Sequence, residues 1–333
     1  MLDERKAAIL RAVVEEYIET AQPVGSSHVA VRPDVSVSPA TVRNEMVALE
    51  REGFLTQPHT SAGRIPTDKG YRFFVDRLTS PGPLGPADRQ AVRDFFARAH
   101  GELEQMLHDT TRLLSQLTSY AAVVVRPPAD VATIRSVQLV GMAPRHALLV
   151  AVLSNGGIVR HSLDFKEDTG DERLASATAH LCAHLVGRPL GDLGTLPRTG
   201  DAQTDAVSDE AVSVLRGSGS EDSDQVFVGG ASRMAAAFDA VDTVRKVLDT
   251  LEQQYVVVSL LSDVLDRGLS VAIGSEHGLQ PLAECSVVVA PYGPAGERTG
   301  TIGVLGPTRM NYPQAMAAVA VVSQRLDRRL EET

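Results

Sequence analysis

The chain has 333 residues, 32 of them Lys or Arg and 42 Asp or Glu, for a formal charge of −10. Its length suggests two or three domains, and its 43% apolar content suffices for real cores, which excludes a wholly disordered chain. No run of ~18 apolar residues predicts a membrane span, the charged opening Asp3-Glu4-Arg5-Lys6 predicts no secretory signal, and two cysteines, Cys182 and Cys285, cannot build a disulfide framework or a four-sulfur zinc site.

A soluble, reducing, cytoplasmic setting is expected. The acidic balance argues against indiscriminate coating of nucleic acid, but not against a local reader. Residues 1–79 carry ten basic and eleven acidic side chains, so most of the excess negative charge lies beyond them.

Leu10, Val13, Val14, Tyr17 and Ile18 form one apolar stripe and predict a helix over about Leu2 to Thr20. Gln22-Pro23-Val24-Gly25 breaks it, Ser26 is placed to cap a short second helix through Val31, and Arg32-Pro33-Asp34 is a turn. The third helix has the clearest start signal: Ser38 as N-cap and Pro39 at the first helical position, with Val42, Met46 and Leu49 as buried face and Gly53 as stop. Phe54 to Gln57 and Arg64-Ile65 read as a small hairpin around the loop at 58–63. Thr67 caps a fourth helix with the stripe Tyr71, Phe74, Val75 and Leu78. Three short helices, a hairpin and a following helix make a winged helix-turn-helix.

Residues 80–87, rich in Pro and Gly, read as a linker. Residues 88–121 carry an apolar seam that must be covered, with Gly101 placed to bend or split it. Strands are expected at Thr133–Val140, Ala147–Leu153 and Ile158–Leu163, with the hairpin turn Ser154-Asn155-Gly156-Gly157 between the last two. A helix follows over Glu172–Val186. Residues 187–224, poor in large apolar groups, read as an exposed or mobile insertion. A helical stretch over Val241–Arg267, strands at Leu269–Ile273, Ser286–Ala290 and Thr301–Leu305, and a helix from Pro313 to Leu330 complete the chain. The strands on either side of the insertion are compatible with one sheet.

The third helix is the best candidate for function. On a helical wheel, Ala40, Asn44 and Arg51 lie opposite the core face, flanked by Thr41, Arg43 and Val47. A helix entering the major groove needs small or hydrogen-bonding groups on its outer face near its N-terminus. Asn can pair with adenine, Arg with guanine or phosphate, and Ala or Thr can meet a thymine methyl. Ala40, Thr41, Arg43 and Asn44 are therefore the expected base readers. Ser38 at the helix N-terminus, Thr60, Ser61 and Arg64 on the wing, and Lys69 and Arg72 on the fourth helix are the expected backbone contacts. The competing reading of each is an ordinary solvated face; the order of elements favours DNA.

His180 and His184, at i and i+4, have the spacing of a metal pair, but no Glu stands beside His180 and no third ligand follows, so a solvated helix face is expected. Cys285 reads as core. Gly303 to Thr308 lacks the lysine of a phosphate loop, and no nucleophile motif is present, so neither an enzyme nor a cofactor is indicated.

These residues resemble the HrcA family of heat-inducible transcription repressors. The string Ala40 to Met46 is similar to its recognition-helix signature. Leu55 to Arg64 with Pro66 to Arg72 is similar to its wing and next helix, and Ile302 to Tyr312 to its C-terminal motif. Val226 to Gly230 is a weaker match, and residues 187–240 depart most.

The resemblance implies a multidomain α+β chain: a winged helix-turn-helix at 1–79, then a GAF-like α/β domain over 88–186 and 241–333 with leading helices, and an inserted dimerisation domain at 187–240. It also implies a homodimer on double-stranded DNA carrying the inverted-repeat CIRCE operator ahead of chaperone operons. The chaperonin GroEL keeps such repressors active, and heat, by filling the chaperonin with unfolded proteins, relieves repression.

Overall fold

The structure, a computed structural model, describes residues 2–60, 62–78, 81–98, 103–126, 132–221, 226–230, 241–251, 253–264, 268–293 and 300–331. Three helices open the chain: α1 (Glu4–Thr20), α2 (Ser26–Ala30) and α3 (Pro39–Arg51). Asp3 caps α1 by accepting the Lys6 N–H at 2.8 Å, and Ala21, in the left-handed region, ends it. Leu10, Val13 and Val14 of the expected stripe are buried; Tyr17 and Ile18 are half-buried. The N-cap of α2 is Gly25 and makes no side-chain bond, so Ser26 is the first helical residue rather than the cap. Strands β1 (Leu55–Thr56) and β2 (Ile65–Pro66) pair antiparallel, and α4 (Asp68–Val75) starts at Thr67, whose hydroxyl accepts the Gly70 N–H.

The seam at 88–121 is two helices, α5 (Pro86–Arg98) and α6 (Leu103–Thr118); Gly101 lies outside the described residues. Leu107, Leu114 and Leu117 of α6 are buried within the chain's own largest core, so the seam is covered internally. Strand β3 (Ala121–Val125) follows, then β4 (Ile134–Ala143), β5 (His146–Leu153) and β6 (Ile158–Asp164), then α7 (Asp171–Leu185) and α8 (Ala202–Glu221). The rest is β7 (Val226–Gly229), α9 (Val241–Leu251), α10 (Gln254–Val264), β8 (Ser270–Ile273), β9 (Cys285–Tyr292), β10 (Gly300–Pro307) and α11 (Tyr312–Glu331).

The sheets correct two expectations. The strands at 134–164 do not share a sheet with those at 270–307. They form their own three-stranded sheet, β4-β5-β6, while β7-β3-β10-β9-β8 make an antiparallel sheet of five. The chain leaves the larger sheet after β3 and rejoins it at β7. What is inserted is therefore the unit of β4 to α8, not residues 187–240 alone, and Val226–Gly229 is an edge strand of the larger sheet.

Nor is the described part of 187–224 an exposed appendage. Asp201 accepts the N–H groups of Gln203 and Thr204 and starts α8. Val207, Ala211, Val212 and Leu215 then bury one face in a core shared with Leu149, Leu153, Ala177 and Leu181. Few large residues are needed because a helix face of Ala and Val with the single Leu215 lets α8 lie against α7.

Each face of the larger sheet is covered, which is why its strands read as continuous apolar runs. Ala122, Val124, Val288 and Ile302 face the core that holds α6 and α11; Ala121, Val123, Val287 and Val289 face a second core with Val257 and Leu261 of α10. Cys285 is fully buried, and desolvation pushes its thiol up to about 12, in keeping with a core residue. Among the described residues no helix is long and apolar enough to cross a membrane.

Candidate nucleic-acid interface

Helix α3 is assembled from its cap outward. Ser38 is extended, its hydroxyl accepts the Thr41 N–H at 3.2 Å, and Pro39 follows in the first turn. Val42, Met46 and Leu49 are buried against the neighbouring helices, which fixes the rotation of α3 about its axis. That rotation leaves Ala40, Arg43, Asn44 and Arg51 exposed. Thr41 is half-buried, with its hydroxyl 3.0 Å from that of Ser38, so the cap holds both hydroxyls. Ser38→Ala is expected to cost about 1 kcal/mol of stability through loss of the cap, read as a lower denaturation midpoint.

The charges around α3 are mostly paired. Arg5 meets Glu45 at 3.6 Å, Lys6 meets Glu52 at 2.6 Å, and Arg11 meets Asp34 at 2.7 Å; Arg32 pairs with Glu15. Arg43 and Arg51, both exposed, make no ion pair among the described residues. The outward side of α3 thus presents cationic and amide groups, while the carboxylates Glu45, Glu50 and Glu52 are held by partners.

The hairpin is braced by Gln57 and Val24, which sequence patterns did not single out. Gln57 donates its amide to the carbonyls of Thr60 and Ala62 and braces the loop from within. Val24 exchanges both main-chain bonds with Arg64 at 2.9 Å, adding a third strand-like partner to the hairpin. Gly63 makes this approach possible: a Cβ there would lie 2.5 Å from the Val24 carbonyl carbon and 2.7 Å from that of Pro23. Gly63→Ala is expected to destabilise the N-terminal unit by about 1–3 kcal/mol, because the clash is with backbone that cannot swing away. Hydrogen exchange at the Val24 and Arg64 amides would register it.

The expected backbone contacts divide. Thr60 is exposed, Ser38 is exposed with its hydroxyl engaged as the cap, and Ser61 lies outside the described residues. Arg64 does not project from the hairpin tip: its Nε and Nη2 donate to one Glu50 carboxylate oxygen at 3.1 and 2.9 Å, tying the hairpin to α3. Lys69 donates to the Glu52 carbonyl at 2.8 Å and lies 4.4 Å from the Phe54 ring centroid, at the C-terminal end of α3, opposite the reading end. A cation there satisfies an open carbonyl and complements the helix dipole.

Arg72 is turned toward the body of the molecule, where it binds Glu276, the Val271 carbonyl and Asp76. Charge and spacing marked these three cations. Apart from Asp76, one turn after Arg72 on the same helix, their partners come from elsewhere in the chain.

His180 and His184 also depart from the solvated face expected of them. Both are half-buried, their ring centroids lie 4.6 Å apart, and His180 Nε2 is buried without a partner.

Comparison with known proteins places this geometry in context. Residues 104–316 match the family model for the HrcA protein C terminal domain. A heat-inducible transcription repressor HrcA of Nocardioides sp. is 40% identical, covering 100% of both chains. The repressor of the same name from Pseudarthrobacter chlorophenolicus is 41% identical over 98% of this chain and 99% of its own. A crystal structure described as that of a hypothetical protein superposes with a TM-score of 0.70 at 24% identity, covering 100% of this chain and 99% of the other, and shares the fold.

Proposed function

This chain belongs to the HrcA family of heat-inducible transcription repressors, and on that premise we propose that it reads an inverted-repeat operator of the CIRCE type as a homodimer, through residues 38–44. As a family member it is a transcription repressor and not an enzyme. The N-terminal unit is a winged helix-turn-helix, the larger sheet with its helices is a GAF-like body, and the inserted β4-to-α8 unit serves dimerisation.

The observation that carries this reading is the exposed N-terminal half of α3, with Ala40, Arg43 and Asn44 outward while Val42, Met46 and Leu49 are buried on the opposite face. These groups and Thr41 read base edges in the major groove; Ser38, Thr60 and Ser61 hold the backbone, together with the unpaired Arg51. Arg64, Lys69 and Arg72 act one step back, holding the reading helix in place. A two-fold dimer presents two such helices to an inverted repeat.

The chaperonin GroEL keeps the repressor competent in the cytoplasm, and heat relieves repression by diverting it. A chain built on separate cores, one of them in an insertion, suits such control, since its units can lose structure unequally. Footprinting the purified full-length chain on chaperone promoters, with and without chaperonin, tests the whole scheme. Protection of an inverted repeat that grows with chaperonin is expected. Absence of protection in both arms removes the operator role, and protection indifferent to chaperonin removes the chaperonin's part.

A further inference from the structure

The N-terminal unit is not tethered by the chain alone. Its core is continuous with that of the body: Leu10, Val14, Tyr71 and Phe74 belong to the same cluster as Ile273, Tyr312 and Val319. Around this contact lies a polar clamp contributed by α4 on one side and by the turn after β8 on the other. Arg72 Nε donates to Glu276 Oε1 at 2.9 Å, its Nη2 binds Glu276 Oε2, and the same Nη2 donates to the Val271 carbonyl at 2.7 Å.

Both ends are themselves braced. Asp76 takes Arg72 Nη1 at 3.3 Å, and Glu276 Oε2 accepts the Ile273 N–H at 2.9 Å. One turn before Arg72, Asp68 accepts the N–H and hydroxyl of Ser275. Gly274, at φ +54°, lets the turn come so close that a Cβ would sit 2.6 Å from the Asp68 carboxyl carbon. Tyr71 packs on Tyr312 with ring centroids 5.9 Å apart.

The chemistry of this clamp points to geometry rather than to stability. The side chains of Arg72 and Glu276 are 31% and 34% exposed, and pairs so open to solvent contribute little to folding. A forked guanidinium on a carboxylate, however, fixes direction as well as distance. We propose that Arg72 is a positioning residue that, through Glu276 and Val271, sets the angle of the reading unit on the body and thereby the half-site separation the repressor accepts.

This rests on the dimeric reading proposed above. Each base pair added between half-sites moves them apart by about 3.4 Å and rotates one about the duplex axis by about 35°. A reader on a fixed joint therefore engages one spacing, whereas one on a loose joint follows several.

The test is a spacer series: synthetic duplexes carrying the operator's inverted repeat with its spacer lengthened or shortened by single base pairs, titrated with the full-length chain. Wild type should prefer the native spacer, and Arg72→Gln and Glu276→Gln should reduce that preference by about tenfold, a scale typical of groups in direct contact. Affinity for a single half-site should hold. Arg72→Lys should behave like Arg72→Gln, because it keeps the charge and loses the fork; restoration by lysine overturns the geometric account.

A second measurement does not involve DNA. Spin labels at Arg51→Cys on α3 and Gln324→Cys on α11, in a Cys182→Ser background diluted with unlabelled chain, report the joint directly. Both label positions are exposed. Arg72→Gln should broaden the distance distribution. An unchanged distribution overturns the proposal whatever the DNA shows, and a broadened one with an unaltered spacer profile overturns the role in spacing. A wild type that binds no inverted repeat defeats the operator reading, and the distance measurement alone then decides the joint.

Discussion

Asn44→Ala should lower affinity for the operator by about tenfold to a hundredfold while leaving affinity for scrambled duplex nearly unchanged, since one well-made amide–base pair is worth about 1–3 kcal/mol of discrimination. Asn44 lies on the exposed side of α3, less than two turns from the Ser38 cap, so its loss removes no packing and stability should hold within about 0.5 kcal/mol. Because the amide carries no charge, the slope of affinity against salt should also hold. Arg51→Ala, at an exposed residue assigned to the backbone, makes the contrast. Loss of a phosphate contact weakens every duplex and reduces the salt slope by about one. Paired titrations on operator and scrambled DNA at several salt concentrations separate the two. Equal losses on both duplexes for Asn44→Ala would remove it from the reading face.

Leu149→Ala should be the more destructive change, and its damage should stay local. Leu149 is fully buried at the centre of β5, packed among Leu139, Leu163, Leu181 and Val212 in a core built only from the inserted unit. Removing that side chain leaves a cavity and costs about 2–5 kcal/mol, enough to melt a small unit by itself. The cores that hold α3 and the larger sheet share no residue with it. Hydrogen exchange should therefore speed up across residues 134–221 while protection in α1 and α3 persists, a departure from two-state unfolding. If the inserted unit joins the subunits, the same variant sediments as a monomer and binds the operator weakly. A uniform loss of protection along the chain would contradict the independence of the two cores.

The legible parts of this molecule are those written in a few neighbouring residues. Ser38-Pro39, the Val42/Met46/Leu49 stripe and the Thr67 cap each place a helix end or face without help from the rest of the chain, and each stands in the structure as expected. Asn155-Gly156 does the same for the turn between β5 and β6: the Asn155 carbonyl oxygen Oδ1 accepts the Gly157 N–H at 3.0 Å. Helix α8 was missed because its signal is weak at this level. Its apolar face is made of Val, Ala and one Leu, interrupted by Thr204 and Ser208, and its cap, Asp201, precedes a stretch that reads as polar. The segments of β4, β5, β6, β8, β9 and β10 are legible, whereas β3, β7 and the partners of every strand are not. An apolar run of five residues at β3 is equally at home in either sheet, and only packing decides that it pairs with β7 and β10.

The amino-acid sequence by itself determined where α3 and α4 begin, which of their faces turn inward, and that Ala40, Arg43 and Asn44 stand outward on a capped helix. Caps, turns and helical periodicity depend on atoms within about one turn of one another. Tertiary structure alone decided what the remaining cations do. Arg64, Lys69 and Arg72 have the composition of phosphate ligands, yet one is bound by Glu50, one by the Glu52 carbonyl, and one by Glu276, 204 residues away. A charged side chain is satisfied by whichever opposite charge or open carbonyl folding brings within about 3 Å. That identity belongs to the long-range arrangement of the chain and not to any local pattern in it.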